Sequence, residues 1–159
     1  MENQKEMYSE VSNQIFNSKI DLNPYIQYDA LARIIFVNCE FNELNLLGKV
    51  FGSCEFINCK FSELSFRKCE IYNCKFENCK FENCDMTRTN FNYSKLTNSK
   101  IIQSDLRASY FFDCEFNKII FKNNNLDNII GRNIKFWKLN ELIEIKESSN
   151  FEKTLEENN

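Results

Sequence analysis

The 159 residues contain no histidine, one proline, three glycines and one tryptophan. Without histidine there is no side chain that titrates near neutrality of its own accord, which removes His-based acid–base catalysis and His-assisted nucleophiles. Its absence, with no CxxC pair, also argues against a zinc site. So little glycine leaves no Gly-rich phosphate cradle, and no GxSxG elbow occurs. With 16 phenylalanines against a single proline, collagen-like and disordered classes are excluded. No unbroken apolar run reaches membrane-spanning length, and residues 1–20 lack a signal peptide's basic start and apolar middle. The expectation is one soluble cytoplasmic domain with no membrane association, no cofactor, no metal and no enzymatic activity.

An excess of one charge is also missing. The net charge is −3, but it is unevenly distributed. Residues 1–30 set Lys5 and Lys19 against Glu2, Glu6, Glu10, Asp21 and Asp29, a net −3. Residues 31–136 hold 15 basic and 12 acidic side chains, a net +3. Residues 137–159 return to −3. The tails are acidic and the middle is mildly basic.

What is present is a period of five. From Phe36 to Phe136 a large apolar side chain recurs at every fifth residue, over 21 positions, with Gly131 the one exception. Given 43% apolar residues, chance agreement is on the order of one in a million. On an α-helix this spacing would spiral around the surface, and on a continuous strand it would alternate between faces. A chain that turns a corner in every unit can bury the whole set on one side. Two residues before each large position lies a second series that includes all eight cysteines and the run Thr89, Ser94, Ser99, Ser104 and Ser109. Two residues apart on a short extended piece means the same face, so each unit points one large and one small side chain inward. Lys49, between Gly48 and Gly52, occupies one of these inward places. Because an unpaired buried ammonium is costly, a local bulge that swings it outward is expected. Asn124 and Gly131 read as a weakening toward the end of the stack.

Runs such as Cys74-Lys75-Phe76-Glu77-Asn78 and Cys79-Lys80-Phe81-Glu82-Asn83 resemble the pentapeptide-repeat family, over about two-thirds of the chain. Its unit is a small residue, Asp or Asn, Leu or Phe, then two polar residues; here Lys and Glu often take the second place. The resemblance implies an all-β solenoid, a right-handed quadrilateral β-helix of about five coils with four units per coil. Residues 31–136 would form it, and residues 1–30 would be an N-terminal cap or arm. Within that first segment Glu10, Val11, Gln14, Ile15 and Phe16 suit a short amphipathic helix or an irregular strand equally.

A 20-residue coil stacks Phe36, Phe56, Phe76, Leu96, Phe116 and Phe136 in one column, and Phe41, Phe61, Phe81, Ile101 and Phe121 in the next. Cys39, Cys59 and Cys79 would stack with parallel side chains, as would Cys54 and Cys74, so reduced, buried thiols are expected. Tyr72, Tyr93, Tyr110 and Phe112 would share one side with Asn73, Asn90 and Asn92, either as a candidate interaction face or as scattered surface aromatics. Lys60, Lys80 and Lys100 would form a ladder, but Glu63, Glu77 and Glu82 sit among these lysines. A mixed solvated face is expected there, without direct nucleic-acid binding.

Past Phe136 the spacing of Leu139, Leu142 and Ile143, with Glu141 and Glu144 opposite, predicts a C-terminal α-helix within residues 137–159, which end in an acidic tail. Beside Trp137 this helix would cover the open end of the coils or carry a homodimer contact. Two functional classes follow. The first is a scaffold that binds a protein partner through its outward faces. The second is implied by the Qnr-type quinolone-resistance proteins, the best-described relatives, which mimic duplex DNA and bind DNA gyrase or topoisomerase IV. The net positive repeat and its uninterrupted frame favour the first, since a duplex mimic needs dense negative charge.

Overall fold

On three sides of each coil a five-residue unit folds as a three-residue strand followed by a corner. The computed structural model describes residues 8–138, 141–146 and 151–156. In strands such as Glu55–Ile57 and Lys60–Ser62 the middle side chain is buried and its neighbours point out. From Asn38 to Asn133 every fifth residue is a corner with φ between 49° and 69°. That left-handed region costs an ordinary L-residue roughly 1–2 kcal/mol. The corner N–H in return faces the next coil: Asn38 donates to the Ile57 carbonyl at 2.9 Å and Glu43 to that of Ser62 at 2.9 Å. Gly48 is the one glycine among the corners, and nine of the 20 are asparagine, the residue that tolerates this conformation best. Ala108 has no such tolerance. Ala108→Gly is therefore expected to raise stability by up to about 1 kcal/mol in urea denaturation.

Three sides of the resulting prism are sheets whose repeat strands pair parallel in 20-residue register. The first has eight strands and runs through Phe36, Phe56, Phe76, Leu96, Phe116 and Phe136. The second has six and carries Phe16, Phe41, Phe61, Phe81, Ile101 and Phe121. The third, also of six, carries Leu31, Phe51, Ile71, Phe91, Phe111 and Gly131. The fourth side is a column of tight turns joined by single bridges through Asn45, Ser65, Asp85, Asp105 and Asn125. On that side the Asn45, Asp85, Asp105 and Asn125 side chains each accept the backbone N–H two residues on, at 3.0–3.1 Å. This explains why Asp and Asn hold the second place of the unit on one side while Lys and Glu replace them elsewhere. The turn uses an acceptor side chain; a strand simply aims that residue at solvent. The result is a β-solenoid of about five turns.

Inside, the phenylalanines form ladders. Phe36, Phe56 and Phe76 stack at 5.2 and 4.9 Å between centroids, and Phe41, Phe61 and Phe81 at 5.0 and 4.5 Å. Neighbouring ladders meet edge-to-face, as at Phe76–Phe81. The small inward residues do more than fill space. Thr89 and Ser109 donate their hydroxyls to the Phe66 and Met86 carbonyls of the preceding coil at 2.7 and 2.6 Å. Ser94, Ser99 and Ser104 accept the backbone N–H of Cys74, Cys79 and Cys84 at 3.0–3.1 Å. All eight cysteines are free and buried. Burial pushes the thiols of Cys69 and Cys114 up to about 12 and that of Cys84 to about 11. In the stacked pairs, the hydrogen bonds to Cys54 and Cys59, and then burial, push Cys74 and Cys79 up. A thiol reagent such as dithionitrobenzoate should titrate none of the eight in the native protein and all of them after denaturation.

The N-terminal segment joins the prism. Strands Ser9–Ser12 and Ile15–Phe16 pair with Ile34–Val37 and Glu40–Asn42 in a 25-residue register. The five extra residues accommodate a short helix, Lys19–Leu22, and a 3-10 turn, Asn23–Tyr25. Leu22 is buried there, and Tyr25 meets Phe16 and Phe36 edge-on.

Lys49 departs from expectation. No bulge forms: its N–H closes the same turn onto Leu46 that Cys69 closes onto Phe66. Its stem stays buried and its ammonium reaches Asp29, one coil below, whose side chain is exposed. A long flexible stem allows the cost of burial to be avoided without distorting the turn. The Asp29 carboxyl is thereby held below its ordinary range, first by the hydrogen bond from Lys49 and then by its charge. A depressed folded pKa gives a contribution that is complete above about pH 4 and lost as pH falls through the folded value. Asp29→Asn should accordingly flatten the acid limb of stability below about pH 4 and leave its alkaline limb unchanged.

The C-terminal end carries the main correction. Leu142 and Ile143 lie on a strand, Glu141–Ile145, that turns back antiparallel to Ile134–Lys138. Leu139 lies outside the described residues. The helix is later, at Phe151–Glu156. Backbone pairing with the last rung, which sets a buried Ile145 opposite Ile134, outweighs the helical spacing. Gly131 is no weak point either. A methyl group there would collide with the ring of Phe151, which fills the large-residue place that Gly131 vacates. Phe151 and Leu155 are both fully buried. Asn124, the other apparent weakness, donates to the Ile101 carbonyl at 2.8 Å and accepts the Ser104 N–H at 2.9 Å.

Candidate interaction face

The third sheet presents two outward columns. One reads Gly52, Tyr72, Asn92, Phe112 and Arg132, and the other Val50, Glu70, Asn90, Tyr110 and Ile130. Tyr93 stands on the adjoining corner with φ 54°. The four aromatics singled out by sequence therefore gather on one side, in two pairs. Tyr72 and Tyr93 meet edge-to-face at 5.5 Å, and Tyr110 and Phe112 stack at 6.1 Å. Tyr72 and Tyr93 are about half exposed, at 52% and 53%. Between the pairs lie Asn90 and Asn92, and Asn90 holds the Glu70 carboxylate at 2.7 Å. The charges among these two outward columns are Glu70 and Arg132.

Sequence reasoning missed the lower half of the same side. Below Tyr72 the outward places carry Gly52, Ala32 and Ala30, a shelf of small residues. A groove of about 410 Å³ opens there, lined by Pro24, Tyr25, Tyr28 and the two alanines. Tyr28 is fully exposed. Three small residues in outward places were the available signal, but the five-residue insertion before Leu31 breaks the frame that would have located the tyrosines.

Elsewhere the surface is mixed. Lys60, Lys80 and Lys100 do stack, but Lys60 pairs with Glu40 and Lys80 with Glu82. On the first sheet Lys75 pairs with Glu55 and Lys95 with Glu115. Along the corner before the second sheet, Asn38, Asn58 and Asn78 form an amide ladder with spacings of 3.1–3.2 Å. Among the described residues no three His, Cys, Asp or Glu side chains are grouped to hold a metal ion, and no helix is long and apolar enough to cross a membrane.

Residues 49–129, just over half the chain, match the family profile described as a pentapeptide repeat region. The chain belongs to the pentapeptide-repeat family. No curated protein matches this pentapeptide-repeat chain. Among solved structures it is similar to the pentapeptide repeat protein Rfr23 from the cyanobacterium Cyanothece 51142, at 11% identity and a TM-score of 0.45, covering 82% of this chain and 86% of that one. It is also similar to trypsin-treated QnrB1, a plasmid-mediated fluoroquinolone resistance protein, at 10% identity and a TM-score of 0.34, covering 81% and 78%. Membership of the family rests on the repeat and not on these neighbours.

Proposed function

We propose that this pentapeptide-repeat protein is a non-enzymatic scaffold that binds a protein partner through the Tyr72, Tyr93, Tyr110 and Phe112 side. The observation that carries this reading is the pairing of four aromatics, two of them half exposed, on a side with few free charges. Aromatic side chains bury much apolar surface for little lost entropy, which is why they concentrate in protein interfaces and not on solvated faces. The thiols are buried and there is no histidine, so the same surface offers neither a thiolate nucleophile nor an imidazole base.

The charge pattern weighs against a DNA-like surface that would engage a topoisomerase. Stacked outward rows such as Glu55, Lys75, Lys95, Glu115 and Lys135 mix signs, whereas duplex DNA carries one negative charge per roughly 1.7 Å. The deciding experiment has two arms. In gyrase supercoiling assays, with and without a quinolone, this protein should change nothing. In pull-downs, a partner held by the wild type and by Lys60→Ala plus Lys100→Ala should be lost with Tyr72→Ala plus Phe112→Ala. Inhibition or protection of gyrase by micromolar protein, or a partner indifferent to the aromatic substitutions, would overturn the reading.

A further inference from the structure

On the first two sheets Lys60, Lys75, Lys80 and Lys95 each reach a carboxylate. The corner that leads from the turn side into the third sheet is different. It carries Gly48, Lys68, Arg88, Ala108 and Asn128. Lys68 and Arg88 stack there in successive coils, their N–H groups donating to the Thr87 and Arg107 carbonyls at 3.0 Å. Arg67 precedes Lys68 in the chain. All three side chains are exposed, and among the described residues none of them forms an ion pair. The acids nearby are already engaged. Asp85 accepts the Thr87 N–H and hydroxyl at 3.0 and 2.7 Å, and Asn90 holds Glu70. Arg107 donates to Asp105 through Nε and Nη2 at 3.0 and 2.6 Å. Four cations thus meet three carboxylates, and the two aspartates are partly buried in their turns while the cations project. A depression of about 350 Å³ lies among Arg67, Thr87, Arg88, Arg107 and Ala108, with the two aspartates also lining it. The corner borders the aromatic side: Lys68, Arg88 and Ala108 come two residues before Glu70, Asn90 and Tyr110, an outward column of the third sheet. Toward the N-terminal end the exposed apolar surface continues through Leu47, Val50 and Tyr28.

We propose that the partner's contacting segment is acidic, with its apolar residues on the third sheet and its carboxylates in the corner among Arg67, Lys68 and Arg88. This rests on the scaffold reading above and adds the partner's chemistry to it. A guanidinium pairs with a carboxylate through two parallel donors, as Arg107 does with Asp105 within this chain. Cations left unpaired at the rim of an apolar face speed the encounter with an acidic partner and repel basic ones. The same cations are poorly placed for a single-stranded nucleic acid, which needs positive charge that tracks its backbone along the groove. They are confined to two successive coils, and beyond them the corner continues as Ala108 and Asn128. A short cluster of carboxylates beside apolar side chains fits that spacing.

A fluorescein-labelled random copolymer of glutamate and tyrosine, titrated with the full chain and read by fluorescence anisotropy, tests this. It should bind saturably at low salt and more weakly as salt rises, since exposed charges are screened. Lys68→Glu plus Arg88→Glu should weaken binding about tenfold. Melting should not change, because glutamate already occupies two other corners, Glu43 and Glu63, at φ 54° and 58°. Tyr72→Ala plus Phe112→Ala should weaken binding as well, and Lys60→Ala plus Lys100→Ala should not. No binding of this copolymer, equal binding of a lysine–tyrosine copolymer, indifference to the charge reversal, or preference for a thymidine oligomer of about 15 nucleotides would each overturn the proposal. The two readings fail separately. A pull-down partner lost with Tyr72→Ala plus Phe112→Ala but kept after the charge reversal sinks the acidic partner and leaves the scaffold. Copolymer binding that needs the corner but not the aromatics sinks the aromatic scaffold and leaves an acidic-segment site at the corner.

Discussion

Replacing Phe151 by alanine is expected to cost about 3–5 kcal/mol of unfolding free energy, as large an effect as any substitution in the repeat itself. The residue lies beyond the last unit, 15 residues past Phe136 and separated from it by the frame positions Glu141 and Lys146. Its weight comes from Gly131. Every other unit from Phe36 to Leu126 and at Phe136 supplies its own large inward side chain; the unit at 131 supplies none. The Phe151 ring occupies that place, with its centroid 5.7 Å from that of Phe111 and 6.2 Å from that of Phe116. Truncation would leave a cavity under the end of two ladders and remove the anchor of the helix that covers the third sheet's last strand. Urea denaturation with the slope held fixed measures the loss.

Phe76→Ala and Phe81→Ala should each cost about 3–5 kcal/mol as well, for a different reason. These residues sit mid-stack with neighbours above, below and beside. Phe81 stacks on Phe61 at 4.5 Å and meets Phe76 edge-on at 5.4 Å. The coils are rigidly spaced by backbone hydrogen bonds, so the neighbouring rungs cannot collapse into the hole. The burial term alone is about 3 kcal/mol for a phenylalanine, and the uncollapsed cavity adds to it. A thermal melt unchanged in either variant would refute the inward assignment.

The inward half of this protein was legible because burial writes itself as a period. Five-residue spacing fits neither helix nor strand, and that mismatch forced a corner into each unit. What the period of five could not reveal was the period of 20 laid over it. Asn45, Asp85, Asp105 and Asn125 accept backbone N–H groups on the turn side, and the second place is looser wherever true strands replace turns. Lys49 illustrates the same blindness. Considered alone it demanded a bulge; considered with the residue 20 positions earlier, it has Asp29 to reach. The ends were harder still. Leu142 and Ile143 satisfy a helical spacing, and the choice of strand was made by a partner, Ile134–Lys138, that local sequence does not announce. Among the outward residues, Tyr72, Tyr93, Tyr110 and Phe112 could be grouped once the coil length was assumed. Tyr25 and Tyr28 could not, because the insertion in the first coil displaces them from the frame.

An inward place, wherever its side chain comes from, decides the stability of this solenoid. A double-mutant cycle at Gly131 and Phe151 tests this directly. Gly131→Leu restores a frame residue but collides with the Phe151 ring, and Phe151→Ala empties the place, so each alone should destabilise. Combined, the leucine occupies the space that the ring has left, and the double variant should be more stable than Phe151→Ala, with a coupling energy on the order of 1–3 kcal/mol. Losses that simply add would contradict the claim that the two residues share one place in the core.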